Sequence, residues 1–242
     1  MKKILITGAT GLLGRALMKV FSKDAECLGI SRTREAENVV QIDLRDDEAL
    51  EECIADFAPD LIIHAAAIRH PDVCENDIQL TYNINIRSTS ILAQMAKHYG
   101  AQFCYISTDY VFDGKEPPFD EESKTSPLNS DGHSKRDGEL AALAAEAETI
   151  ILRIPVLYGF VETIDESAVT VIAKTVLAAK KGEVDHWAQR FPTHVEDVAE
   201  ALHRLHAVEH EKGIYHFSAA ECFTKFEMAQ MIAEDFGLPK EQ

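Results

Sequence analysis

Apolar residues follow two alternating rhythms along this chain. Short runs rich in β-branched residues predict strands at Lys3 to Thr7, Glu26 to Ile30, Val39 to Leu44, Leu61 to Ala66, Phe103 to Ser107 and Thr149 to Ile154. Between them, helical spacing predicts helices over Gly11 to Ser22, Asp47 to Phe57, a stretch ending near Lys97, and an Ala-rich stretch through Lys135 to Ala147. Alternation of this kind implies βαβ crossovers and a parallel sheet, and the continuously apolar strands imply helices on both faces. After Pro155 the spacing loosens, with helices expected at Ser167 to Lys180, Val195 to Leu205 and Lys225 to Phe236, and a strand at Ile214 to Phe217. The expected organisation is a nucleotide-binding domain over residues 1–158 and a smaller, interleaved C-terminal lobe over 159–242, on the substrate or partner side.

Composition narrows the class. The chain has 242 residues, 46% hydrophobic, enough for a sizeable core. With 41 acidic against 24 basic residues its net charge is -17, a field that repels nucleic acid and anionic membrane, so an anionic ligand must be held by local groups. The five scattered cysteines form no C-x-x-C pair, which argues against a disulfide framework and a zinc site and points to the reducing cytoplasm. The first apolar run is too short for a signal peptide, and no stretch approaches the ~20 apolar residues that span a bilayer.

Thr7-Gly8-Ala9-Thr10-Gly11-Leu12-Leu13-Gly14 lies between the first strand and the first helix. Here Gly8 can make the tight turn, Gly11 can let backbone approach a pyrophosphate, and Gly14 can let helix and strand pack closely, while the helix start offers N–H donors and a positive dipole end. The G-x-x-G-x-x-G spacing departs from the common G-x-G-x-x-G, and a simple strand-to-helix turn is the bland alternative. Position and context favour a Rossmann-type, doubly wound α/β fold binding a dinucleotide. The second strand ends at Ile30-Ser31-Arg32-Thr33-Arg34, where an NAD site usually carries an acid; Arg32 and Arg34 can instead receive a 2′-phosphate, which favours NADP, the alternative being two solvated loop charges. Asp43 and Leu44 close the third strand. Asp43 can accept from an adenine amino group or cap the next helix.

Together the loop, His64-Ala65-Ala66-Ala67, Ser107-Thr108-Asp109-Tyr110-Val111-Phe112-Asp113-Gly114, and Pro127-Leu128-Asn129 leading to Lys135 resemble the extended short-chain dehydrogenase/reductases, in their dTDP-4-dehydrorhamnose reductase branch. Leu152 to Gly159, Glu166-Ser167-Ala168-Val169-Thr170-Val171, and Asp185-His186-Trp187 through Gln189 to Val195 resemble the regulatory β subunits of methionine adenosyltransferase, non-catalytic relatives of those reductases. The resemblance implies an NADP site lined by Gly8, Thr10, Gly11, Leu12, Leu13, Gly14, Arg32, Arg34, Asp43, Leu44, Ala65, Ala66, Ala67, Asn85, Lys135 and Pro155, and, as a partner, a methionine adenosyltransferase catalytic subunit. The chain ends at Gln242, earlier than these relatives usually do, before the segment with which the β subunit is thought to grip that partner.

In the reductases a Tyr-x-x-x-Lys pair works with a Ser or Thr at the end of the fifth strand. The tyrosine protonates the substrate carbonyl, and the lysine holds the nicotinamide ribose and lowers the phenol's pKa. Lys135 matches the lysine and Thr108 the hydroxyl, but four residues before Lys135 stands Asp131. An aspartate one turn from a lysine is expected to be ionised, with no proton to give. Tyr110 and His133 are the groups near enough in sequence to rescue proton donation, although His133 should face away from Asp131.

Asn85 matches an asparagine that supports the family's lysine through water; satisfying backbone is its alternative role. Arg190 can contact a nucleotide-sugar diphosphate or form a surface ion pair. His203, His206 and His210 share a helical spacing but lack accompanying ligands, so a solvated face is expected and no metal site. Two functions follow: an NADP-loaded regulatory protein with impaired turnover, or an active NADPH-dependent reductase of a nucleotide-linked 4-keto-6-deoxy sugar. An NAD-retaining epimerase or dehydratase is a third, disfavoured by Arg32.

Overall fold

The computed structural model describes residues 1–69, 71–145, 147–178, 183–208 and 211–238. Seven strands form one parallel sheet: β1 (Lys3–Thr7), β2 (Glu26–Ser31), β3 (Val39–Gln41), β4 (Leu61–His64), β5 (Gln102–Thr108), β6 (Thr149–Ile154) and β9 (Gly213–His216), ordered β3-β2-β1-β4-β5-β6-β9. The order reverses between β1 and β4, so the strand ends there open a crevice, the usual ligand position in such sheets. A separate pair joins β7 (Leu157–Tyr158) to β8 (Thr193–His194).

Helices cover both faces because the strands are apolar on both. On one, α1 (Leu12–Phe21) and α8 (Val195–His206) pack on Ile4, Ile6, Ile63 and Cys104. Val195, Val198, Ala199 and Leu202 are the buried stripe of α8, at the spacing of one helix face. On the other face, α2 (Asp47–Phe57), α5 (Ser88–Tyr99) and α6 (Ser130–Ala144) close over Leu5, Ile62, Phe103 and Ile151. Short helices α3 (Pro71–Asn76) and α4 (Ile78–Thr81) lead into a π-helical turn, Tyr82–Arg87, a wide coil that often marks functional sites. Of the segment after residue 158, α8 and β9 join the main sheet's layers, while α7 (Ala168–Leu177) and α9 (Lys225–Asp235) pack on each other.

Most element positions match the periodicity. β3 and β4 are shorter than the apolar runs suggest, ending at Gln41 and His64, because Ile42, Leu44, Ala65 and Ala66 leave the sheet to line the crevice. His203 and His206 do not form the solvated face expected of them. His203 bonds Asp24 at 3.0 Å and meets the Phe21 ring edge-on, and His206 bonds Gln102 at 2.7 Å, its burial pushing it down to about 4. His210 lies outside the described residues.

Candidate functional site

A cleft of about 610 Å³ opens at the β1–β4 reversal. Its first wall is the glycine loop. Gly8 has a φ of +69°, which favours glycine, and a Cβ there would meet the Ala66 backbone at 2.9 Å; on Gly14 a Cβ would sit 2.0 Å from the Gly8 carbonyl oxygen. Only bare backbone lets strand, turn and helix approach this closely. Gly11 caps α1 without a side chain, so the first-turn N–H groups of Leu12 and Leu13, both lining the cleft, are free of a side-chain cap. These features fit a dinucleotide pyrophosphate.

Below the loop, a buried hydrogen-bond chain joins β1 to β4. The Ala66 N–H donates to Thr7 Oγ1 (3.2 Å), which sits 2.7 Å from His64 Nδ1; His64 Nε2 sits 3.1 Å from Thr89 Oγ1, which donates to the Asn85 carbonyl (2.8 Å). Because Thr89 spends its proton on Asn85, the network assigns the hydrogen to Nε2 and leaves Nδ1 accepting from Thr7. Burial, with nearby Lys135 adding to it, pushes His64 down to about 3, so the imidazole is neutral and acts as a rigid strut.

The opposite wall carries the candidate chemistry. Thr108, at the end of β5, caps a 3-10 turn: its Oγ1 accepts from the Tyr110 N–H and donates to Asp109 Oδ1, both at 3.2 Å. Asp131 and Lys135 lie one turn apart on α6, both buried and both lining the cleft. Lys135 Nζ donates to the Ile106 carbonyl at 2.5 Å and stands 4.2 Å from the centre of the Tyr105 ring. Burial pushes the ammonium down to about 8, opposed by the attraction of Asp131 and then Glu139. Asp109 is pushed up to about 6 by its enclosure, against the Thr108 hydrogen bond.

Behind this wall Glu139 and Arg153 form a buried pair, with Nε–Oε1 at 2.9 Å and Nη2–Oε2 at 2.7 Å, and Glu139 also accepts from Ser107 Oγ at 2.5 Å. The pair ties α6 to β5 and β6 and so fixes where Lys135 stands.

The RmlD substrate binding domain profile matches residues 1–242. The chain belongs to that family. Within it, methionine adenosyltransferase 2 subunit beta of Rattus norvegicus is 46% identical over 244 residues, 98% of this chain and 73% of that protein. Spore coat polysaccharide biosynthesis protein SpsK of Bacillus subtilis is 32% identical, over 98% of this chain and 81% of its own. A hypothetical dTDP-4-dehydrorhamnose reductase of Sulfolobus tokodaii superposes with a TM-score of 0.88 at 31% identity, covering 99% of this chain and 84% of that one. The Bacillus anthracis reductase in complex with NADP gives 0.87 at 26% identity, covering 98% and 82%.

Set on this RmlD-family framework, most residues expected from the sequence line the one cleft: Gly8, Thr10 to Gly14, Arg32, Arg34, Asp43, Leu44, Ala65 to Ala67, Thr108, Asp131, Lys135 and Pro155. Asp43 does not cap α2; Asp46 does, accepting from the Ala49 N–H at 3.1 Å, while Asp43 is chelated by Arg45 and held down at about 2. Asn85 stands behind the lining. Its carboxamide holds the Ile68 N–H (2.8 Å), the Ile68 carbonyl (2.9 Å) and Ser134 Oγ (2.8 Å), so it braces the strand-end loop against α6. Arg190 is outside the lining too, its guanidinium on Asp185 (3.1 Å) and the Ala188 carbonyl (2.6 Å). Tyr110 lines the cleft, whereas His133 is exposed.

Three charged lining residues escaped the sequence reading: Arg69, Asp109 and Glu166. Asp109 adjoins Thr108, and Glu166 opens one of the runs that carry the family resemblance, so both were in view without a role. Arg69 follows a strand end, but nothing in its neighbourhood marks it.

Proposed function

We propose that this chain holds NADP in the cleft without efficient carbonyl reduction and serves as a regulatory partner of a methionine adenosyltransferase catalytic chain. The observation that carries the reading is Asp131 in the cleft wall one turn before Lys135, where a reductase of this family needs a phenol. NADPH supplies a hydride when bound; the protein must supply a proton to the carbonyl oxygen. A carboxylate attracted to a buried ammonium is an acceptor, and its side chain is much shorter than tyrosine's. Lys135 can still orient the ribose, Thr108 a ligand hydroxyl, and the glycine loop the pyrophosphate. Binding is kept while the proton transfer is lost. The preference for a 2′-phosphate is supported by Arg32, which lines the cleft and makes no hydrogen bond or ion pair among the described residues. The regulatory role is supported by the identity to the β subunits.

The test is NADPH oxidation with a dTDP-4-keto-6-deoxyhexose, run with and without a methionine adenosyltransferase catalytic chain, together with co-purification of the two chains. Absent turnover, bound NADP and a stable complex are expected; robust turnover by the unaltered protein would overturn the reading.

A second reading, an active reductase, is favoured by Asp109. Its carboxyl lies in the cleft beside Thr108 and is pushed up to about 6, so it carries a proton for part of the time near neutrality. In that case Asp109→Asn removes turnover while dinucleotide affinity stays unchanged.

A further inference from the structure

At the adenosine end, the segment 160–166 is strapped to the glycine-loop wall by one buried carboxylate. Glu166, last residue of the 3-10 turn Ile164–Glu166, accepts from Arg15 Nη2 (2.7 Å) and Nη1 (3.2 Å), from Arg34 Nη1 (3.0 Å) and from the Glu162 N–H (3.1 Å). Arg15 is further pinned by the carbonyls of Thr10 (2.8 Å) and Phe160 (3.2 Å), so it is committed to the strap. Arg34 Nη1 also reaches Glu162 Oε2 at 3.1 Å.

We propose that Glu166 sets how strongly this cleft prefers a 2′-phosphorylated dinucleotide, by occupying Arg34 with a fixed carboxylate that an incoming phosphate must compete with. The inference rests on the reading of the cleft as a dinucleotide site. Two guanidiniums follow the second strand, and they are not equivalent. Arg32 makes no ion pair among the described residues and feels only the Coulomb attraction of Asp43, itself chelated by Arg45, whereas Arg34 faces two carboxylates. The carboxylate of Glu166 cannot swing clear, because Arg15 and the Glu162 backbone hold it. Nor can it neutralise itself, since the Arg15 hydrogen bonds above all hold it down at about 2. A 2′-phosphate arriving here gains Arg32, which no ion pair holds, shares Arg34, and meets the charge of Glu166 and Glu162. A dinucleotide with a free 2′-hydroxyl meets no such repulsion. The preference for NADP is therefore present but held below what two free arginines give.

The experiment measures Kd for NADPH and NADH by fluorescence titration of the full chain and of variants. Glu166→Gln keeps the shape and an acceptor for Arg15 but removes the charge; the ratio Kd(NADH)/Kd(NADPH) is expected to rise about tenfold. Glu162→Gln, on the exposed side of the strap, tests the same repulsion without disturbing buried structure and is expected to raise the ratio about twofold. In the unaltered background, Arg32→Ala should cost more NADPH affinity than Arg34→Ala, and in the Glu166→Gln background the two losses should converge. Equal changes in both Kd values would make the strap a purely structural clamp and overturn the proposal, as would a falling ratio or equal losses for the two arginines in the unaltered protein. If the unaltered chain binds neither dinucleotide, the cofactor reading fails and the inference with it; if it binds both and the ratio ignores Glu166, only the inference fails.

Discussion

At one end of the cleft, Gly8, Gly11 and Gly14 bring main chain up to the ligand space; at the other, Thr108, Asp131 and Lys135 present side chains. The first half depends on geometry that many sequences satisfy once the glycines are placed, because N–H groups and a helix dipole come with any backbone. The second depends on the identity of single functional groups. Replacing one side chain there changes what the site can do while leaving fold, cofactor wall and core intact. Under the proposed reading, that difference is how the chain would keep a reductase's architecture without its reaction.

The largest effect expected from breaking this contrast is chemical. Asp131→Tyr restores a phenol one turn from Lys135, and NADPH oxidation with a dTDP-4-keto sugar should rise by about 10²- to 10⁴-fold, the range a positioned general acid contributes. Dinucleotide affinity should move little. A variant that binds NADPH and stays inert would show that the chemical half has diverged at more than one residue.

Next comes the scaffold under that half. The Glu139–Arg153 side chains are each 4% exposed, so Glu139→Gln leaves a buried guanidinium without its countercharge, expected to cost roughly 3–5 kcal/mol in denaturant unfolding. The double variant Glu139→Gln with Arg153→Met should recover much of that loss. If the single change costs under about 1 kcal/mol, the pair is better hydrated than its burial implies.

The two halves also differed in how far they could be read from sequence. Glycine positions and strand periodicity located the glycine-loop wall of the cleft because each glycine answers a local requirement: a positive φ at Gly8, a 2.0 Å approach at Gly14. The expectation that the family tyrosine is replaced rests in the same way on one residue, Asp131, at one spacing from Lys135. What stayed hidden were partners distant in sequence. Arg34 reads as a free phosphate ligand until Glu166, 132 residues away, is seen on it. His203 and His206 read as a solvated face until α8 docks on α1 and Asp24 and Gln102 are seen on them, whereas the local ion pair weighed for Arg190 is there, on Asp185. Periodicity reports which face of an element is buried, and says nothing about which charge meets which.

A smaller effect separates the strut from the walls it supports. His64 is held neutral, down at about 3 when folded, and returns to its ordinary 6.5 when unfolded. Between those values the unfolded chain binds a proton that the folded chain refuses, so stability falls as pH drops through the window. At pH 5 this amounts to about 2 kcal/mol. Glu166, held at about 2 against an ordinary 4.5, adds acid sensitivity mainly below that pH, so the two are separable. In His64→Gln the loss of stability from pH 7 to pH 5 should shrink by about 2 kcal/mol, read from denaturant midpoints at each pH; an unchanged loss would mean the imidazole already takes up a proton in the folded protein.

The smallest effect concerns the helix on which the glycine loop stands. Lys19 pairs with Glu196 and Lys23 with Glu200, each at 2.6 Å, forming a ladder between α1 and α8. Both rungs are largely exposed, so Lys19→Ala and Lys23→Ala should each move the denaturant midpoint only marginally, a difference that disappears in high salt. Dinucleotide affinity should ignore the lysines, because the loop's approach to the ligand is set by backbone contacts between Gly8 and Gly14. If removing a surface lysine did weaken NADPH binding in a salt-dependent way, the cofactor half would depend on side-chain charge after all, and the contrast between the two ends of the cleft would be one of degree.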